Sequence, residues 1–331
     1  MVTTISPDAL AGPSLTSLVN GFVLTKRTEG KSPKTLTFYE GNLRRFLWYA
    51  QRQGWHDDVR LINEWQIKEF LGYVASEAHR WGLKGNGSET SQRNASRSTV
   101  HHYFVVLSCF FNWVVHEGLS KENPMIRIKI AKPKPKVITP YTHDEIKRML
   151  AVCDYDYHHN ARFLGSRNRA IILVFLGTGV RLSELIAMKL SDIDAGKGHL
   201  KVSGKGGKER VVRMGNTTQK ALWRYLMYRP DNSRRELWLT EEGRPLVASA
   251  VQSLVKRLKQ RAGLSSAGSI HRFRHTFALN FLRADRNVFN LQYLLGHSDL
   301  DMVKRYVATL GMEDALEAHK KASPADLLGL R

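Results

Sequence analysis

Through the first 120 residues, apolar side chains recur every three or four positions, the spacing of one buried face on an α-helix. The stretch SLTSLVNGFVLTKR (14–27) places Leu15, Leu18, Val19 and Phe22 on one stripe. A second helix is set up by Ser32 as N-cap and Pro33 at the first helical position, and it stops at Gly54. Its stripe is Leu36, Tyr39, Leu43, Phe46 and Leu47. A third helix is expected over 64–80. A fourth, over 98–117, carries Val100, Phe104, Leu107, Phe111 and Val114. The Gly-, Ser- and Asn-rich stretch 80–99 between them reads as a loop. Tyr103 and Trp113 are most simply core or flanking aromatics.

Beyond residue 140 the pattern is mixed. Helices are expected near 142–153, 166–177, 181–190, 216–228, 247–262, 271–284, 288–294 and 299–308. Thr142 and Glu145 form a capping box for the first of these. Between them HLKVSGKGGKERVVRM (199–214) alternates like two strands around a glycine-rich turn. The chain thus reads as mainly α with a small antiparallel β-sheet. Its two domains cover 1–125 and 141–331, joined by the linker 126–140, whose Lys132, Lys134 and Lys136 alternate with Pro133 and Pro135.

Charge changes this picture most. The 331 residues carry a formal net charge of +21, and the sequence pI is near 10.1. Residues 1–136 hold 19 basic and 11 acidic side chains, and residues 137–331 hold 32 and 19. An excess on both sides of the linker points to a polyanion touched by both halves, nucleic acid above all. The linker lysines could lie along phosphates or simply be solvated. No apolar run is long enough to span a bilayer, and the N-terminus lacks the order of a secretory signal. Two cysteines form neither a disulfide framework nor a zinc spacing, and the 13 histidines show no metal motif. The expectation is a cytoplasmic protein, nucleoid-associated when bound to DNA, with no metal and no cofactor.

Four patches of the second half combine unusual polar residues with turn or helix geometry. In GTGVRLSELIAMKL (177–190), Arg181 and Glu184 lie one turn apart. In SGKGGKE (203–209) lysines sit at a hairpin tip, where one can swing into a partner's groove, but the phosphate-loop spacing is absent. In SIHRFRHTFALNFL (269–282), Ile270, Phe273, Phe277 and Phe281 form the core stripe and leave His271 and Arg274 neighbours, two cations that an anion would reconcile. In LLGHSDLDMVKRYV (294–307), Ser298 and Asp301 cap a helix with Leu300, Val303 and Val307 inward. Tyr306 then falls at the edge of that stripe, and His297 lies just before the first turn. Each patch alone also fits an ordinary structural role: an exposed ion pair, a solvated turn, a core-bordering histidine, a capped helix.

Together the patches suit attack on a phosphodiester without metal. Guanidiniums can grip the nonbridging oxygens and stabilise the charge of a pentavalent transition state. A phenol, with an ordinary pKa of about 10, needs its proton taken before it attacks. The leaving sugar oxygen needs a proton, and a mobile lysine can donate one.

In that order TGVRLSEL, GKGGKER, HRFRH, LLGHSDL and a Tyr nine residues past the last His resemble the tyrosine recombinase (phage integrase) family. The likeness covers the whole second half, and the first half looks like the family's helical core-binding (SAM-like) domain. It implies a two-domain clamp around duplex DNA. Arg181 and Arg274 would bind the scissile phosphate and Tyr306 would be the nucleophile. Lys205 would protonate the leaving 5′ oxygen, His271 would act as base or proton shuttle with Glu184 orienting it, and His297 would hydrogen-bond a phosphate oxygen. Lys132, Lys134, Lys136, Lys208 and Arg210 are expected on DNA.

The resemblance also implies a 3′-phosphotyrosyl intermediate and four protomers on two sites. A C-terminal segment, EDALEAHKKASPADLLGL (313–330), would dock on a neighbour or fold back on its own core. Accessory DNA-bending or directionality proteins are possible partners. The chain begins almost at the core-binding domain, which favours an Xer-like or compact integrase. Two other readings stay open: a type IB topoisomerase-like enzyme that relaxes supercoils, and a catalytically silent DNA-binding accessory protein.

Overall fold

A computed structural model describes residues 13–76, 94–133, 139–204, 207–231, 234–265, 270–296, 306–307, 310–311, 314–316, 319–320 and 323. The expectations for Lys134, Lys136, Lys205, His297, Ser298 and Asp301, and most of those for 80–99, 299–308 and 313–331, lie outside these residues. The chain divides into two compact units, Met1–Pro135 and Lys136–Arg331.

The first unit packs four helices: α1 (Leu15–Thr28), α2 (Pro33–Arg52), α3 (Glu64–Ser76) and α4 (Arg97–His116). Their starts are local. Ser14, Ser32 and Ser96 each turn a side-chain oxygen onto the backbone N–H three residues on, meeting one of the donors a helix start leaves open. The helices bury Phe22, Phe46, Phe70, Phe110 and Phe111 together, with Phe46 meeting Phe70 edge-on at 5.1 Å between ring centroids. Met125 and Ile128 are buried in the same core and Ile130 packs against it. The expected linker therefore begins too early at 126: apolar burial keeps the chain on the first unit through Ile130.

The second unit is built around α6 (Arg162–Thr178), with buried residues on nearly every side. Around it lie α5 (His143–His158), α8 (Asn216–Tyr228) and α10 (His271–Asp285), while α9 (Ala248–Arg261) lies against α5. The expected capping box is present: Thr142 accepts from the Glu145 N–H, and the Glu145 carboxylate accepts from the Thr142 N–H. That carboxylate also receives two donors of buried Arg272 on α10. Arg272 donates besides to the carbonyls of Thr139 and Pro140 and stacks 4.0 Å over the Tyr141 ring. The entry of the chain into the second unit is thereby bolted to α10.

Three departures from the sequence reading have physical causes. The helix expected over 181–190 is only α7 (Leu182–Ile186), because Met188 and Leu190 hydrogen-bond to Leu237 and Arg235 across the chain. The sheet gains a short strand, β1 (Ile193–Asp194), beside the expected hairpin of β2 (His199–Ser203) and β3 (Glu209–Arg213), in antiparallel order β1-β2-β3. On α10, Phe277 and Phe281 are only partly buried; Ala278, Leu279 and Leu282 are buried in a second cluster with Leu291 and Leu295 of α11 (Val288–Leu295) and Tyr306.

Truncation of Phe46 tests the independence of the two units. Phe46→Ala should cost roughly 3–5 kcal/mol. Calorimetry should show one transition shifted to lower temperature and a second left in place; a common shift of both would contradict separate cores.

Candidate active site

Gly179 opens the site. It ends α6 in a left-handed conformation (φ +64°), and a Cβ there would lie 2.4 Å from Phe277 and 2.9 Å from Leu295. Only glycine lets the chain turn in this space, and the turn leads through Val180 to Arg181 at the start of α7. The Gly179 carbonyl accepts from Arg274 Nη1 at 2.7 Å. Arg274 Nη2 donates at 2.7 Å to the Leu295 carbonyl, and Arg181 Nη1 reaches the same oxygen at 3.5 Å. The C-terminal carbonyls of α11, the partly negative end of a helix, thus hold both arginines.

Glu184 ties the other side. Its Oε1 accepts from Nη1 of Arg181 at 2.8 Å and from Nη1 of Arg210 at 2.9 Å. Its Oε2 accepts from the Arg181 backbone N–H at 2.7 Å and from Arg210 Nη2 at 2.8 Å. A carboxylate offers about four lone-pair sites, and these donors fill them. Glu184 thus orients Arg181 and Arg210. One correction concerns Arg210, expected on DNA. It is 9% exposed, and its Nε is bound to the Leu294 carbonyl at 2.7 Å, so its guanidinium is committed to the interior. Strand alternation carries the signal that would have found it: on β3, Arg210 shares the inward face of Val212 and pairs with Val202.

Tyr306 lies deeper than the edge of its stripe, at 3% exposure. Its ring meets His275 in a T-shaped contact, 4.9 Å between centroids. The sequence reading gave His275 no role, although it stands one turn from His271 and next to Arg274 on α10. His271 itself is exposed at the first position of that helix. Burial, with His271 and Arg274 adding to it, lowers the pKa of His275. Burial first, and the charge of Arg181 next, pull Arg274 down to about 10, with Tyr306 and Glu184 opposing. Arg274 stays protonated at neutral pH. Those mutual effects place Arg181, Arg274, Glu184 and Tyr306 in one electrostatic neighbourhood.

Lys205 and His297 lie outside the described residues, but their flanking glycines do not. A Cβ on Gly204 would lie 3.8 Å from Glu184 Oε1, so the strand end before Lys205 approaches the cluster. Gly296 is left-handed (φ +60°), and a Cβ there would press on Arg210 at 3.0 Å. Lys132 and Lys208 are exposed. Among the described residues there is no group of acids, histidines and cysteines that could hold a metal ion, and no helix is long and apolar enough to cross a membrane.

The profile of the phage integrase family matches residues 140–311, more than half of the chain. The chain belongs to that family, the tyrosine recombinases. It is similar to tyrosine recombinase XerD of Listeria monocytogenes serotype 4b (strain F2365), 27% identical over 304 residues, taking in 88% of this chain and 94% of the relative. Tyrosine recombinase XerC of Lactobacillus delbrueckii subsp. bulgaricus (strain ATCC BAA-365 / Lb-18) is 29% identical over 287 residues, 85% and 90% of the two chains. In fold it matches the Tn1549 transposon integrase in complex with transposon right end DNA, with a TM-score of 0.71 at 18% identity over 94% of this chain and all of the other. XerH recombinase in a post-cleavage complex on palindromic difH matches with a TM-score of 0.69 at 20% identity, over 95% and 85%. The chain is a site-specific DNA recombinase.

Burial tends to raise the Glu184 pKa, but the Arg210 hydrogen bonds, then those from Arg181, outweigh it and hold the group at about 2, against an ordinary 4.5. A depressed pKa contributes stability that is complete above about 4.5 and is lost as pH falls toward 2. Acid titration of the second unit's stability should therefore show a loss on the order of 3 kcal/mol across that window. Glu184→Gln should remove this part of the pH dependence; an unchanged acid limb would refute the assignment.

Proposed function

We propose that Tyr306 cleaves duplex DNA by attacking a phosphodiester held by Arg181 and Arg274. The observation that carries this reading is the convergence of two guanidiniums, from α7 and α10, with one tyrosine in the second unit. The phenolic oxygen bonds to phosphorus as the bond to the 5′ oxygen breaks. The phenol's proton leaves through a base, the role given to His271, and Lys205 protonates the departing oxygen. His297 donates to a phosphate oxygen. Attack by a 5′-hydroxyl from the partner strand reverses these steps and frees Tyr306. The phosphotyrosyl ester conserves the bond energy, so neither ATP nor a metal is required.

Pre-positioned arginines suit this chemistry. Fixed carbonyls hold Arg274, and Glu184 holds one nitrogen of Arg181, so little reorganisation is needed as charge develops on a phosphate. Exposed cations of both units, Lys132 and Lys208 among them, supply sequence-independent affinity for the duplex. Four protomers would act on two paired sites, with the segment from 313 onward docking between them and accessory DNA-bending proteins setting direction. The tetramer of lambda integrase on a Holliday junction, similar in fold, supports this stoichiometry. Integration or excision of a mobile element, or resolution of DNA dimers, would follow from which sites are joined.

Incubation with a nicked duplex carrying the recombination site should give a covalent protein–DNA adduct without divalent metal, and Tyr306→Phe should abolish it. Strand exchange between two such duplexes separates a recombinase from an enzyme that only relaxes supercoils. Covalent capture by the Phe variant would sink the assignment of the nucleophile.

Arg181→Ala or Arg274→Ala should slow cleavage by on the order of 10²–10³-fold, as expected for loss of one transition-state donor. Binding, measured by fluorescence anisotropy, should weaken far less and should fall steeply with added salt. A flat salt profile would contradict backbone-dominated binding.

A further inference from the structure

We infer that Arg210 is a positioning residue that keeps Arg181 available to the phosphate by taking up the charge of Glu184. The inference rests on the proposed role of Arg181. Arg210 meets Glu184 with two nitrogens, Nη1 on Oε1 and Nη2 on Oε2, the bidentate geometry an arginine and a carboxylate prefer. Arg181 meets the same carboxylate with one guanidinium nitrogen and its backbone N–H. Among the described residues, its guanidinium contacts to Glu184 and Leu295 both run through Nη1, and its side chain remains 36% exposed. Glu184 is therefore shared unequally. The buried arginine holds it face-on, and the exposed one touches it with a single nitrogen and keeps its other donors outward.

Removing Arg210 upsets that division. A buried carboxylate that loses two charged donors takes what cation is in reach, and Arg181 is the one already bonded to it. Arg181 then closes on both oxygens of Glu184 and turns its fork away from a phosphate. Arg210 also grips the Leu294 carbonyl at 2.7 Å and packs beneath Gly296, so the same guanidinium joins β3, α7 and the end of α11. A side chain with all three contacts buried is poorly placed to touch DNA, so its effect is exerted through its neighbours.

The test uses single-turnover cleavage of a saturating nicked duplex carrying the site to which Tyr306 attachment is mapped, with rates corrected for the folded fraction. Arg210→Met should bind this duplex within about threefold of the unaltered protein and cleave it about 10²-fold more slowly. Glu184→Gln added to Arg210→Met removes the charge that captures Arg181 and should recover roughly tenfold of the rate. This pair also leaves no unpaired buried charge, so it carries the test if the single variant folds poorly. In an Arg181→Ala background, Arg210→Met should cost little more. Cleavage at the original rate, a double variant no faster than Arg210→Met, or full additivity with Arg181→Ala would each overturn the inference. Absence of any Tyr306 adduct from the unaltered protein would overturn the reading of Arg181 first, and this one with it.

Discussion

The site depends on one buried carboxylate. Taken from water alone, the Glu184 anion would cost several kcal/mol or would pick up a proton. It does neither, because Arg181 and Arg210 converge on it and hold its pKa at about 2 against the effect of burial. One negative charge balances one guanidinium of three, counting Arg274. The guanidiniums also rest on the carbonyls of Gly179, Leu294 and Leu295. Partial charges of that kind hold a guanidinium in place without cancelling it.

The same reasoning explains why the frame is helical at these points and glycine-hinged between them. The end of α11 contributes carbonyls that have no partner within the helix, and arginines are the side chains that can satisfy more than one at once. Gly179 and Gly296 bring backbone close enough for this. A Cβ at the first would collide with Phe277, and one at the second would press on Arg210. Tyr306 is held by a different principle, apolar burial among Leu279, Leu282, Leu291 and Leu295 beside His275. The Tyr306 ring is thus fixed by packing, and Arg181 and Arg274 by hydrogen bonds. α10 joins the two systems, because Arg274 and His275 are consecutive on it.

Most elements were legible because their signals are local. The Ser32 cap, the Pro33 helix start, the Thr142–Glu145 box and the alternation of the hairpin all act within a few residues, and each lies where the pattern put it. The misreadings share a non-local cause. α7 ends early because a distant segment at 235–237 offers Met188 and Leu190 hydrogen bonds. The first unit keeps Ile128 because its core reaches beyond its last long helix. Arg210, expected on DNA, instead faces inward beside Val212, where pairing with Val202 across the hairpin and contacts to distant Glu184 and Leu294 hold it. His275 was overlooked for a similar reason: its neighbour Tyr306 is thirty-one positions away, and spacing along α10 alone cannot show it.

Burial then divides a single residue type between two tasks. Exposed lysines and arginines face water and salt, where screening shortens the reach of a charge to about 10 Å at moderate ionic strength. Arg274 is 5% exposed and Arg210 9%, in surroundings where salt cannot follow and a lost partner is not replaced. Charge there is felt at full strength by whatever phosphate enters, and by each neighbouring guanidinium as well. That mutual repulsion is what Glu184 relieves, as the one acid bonded to both Arg181 and Arg210 among the described residues. A net charge of +21 suits a nucleic-acid partner; the site in the second unit is built from the few charges that are kept out of water.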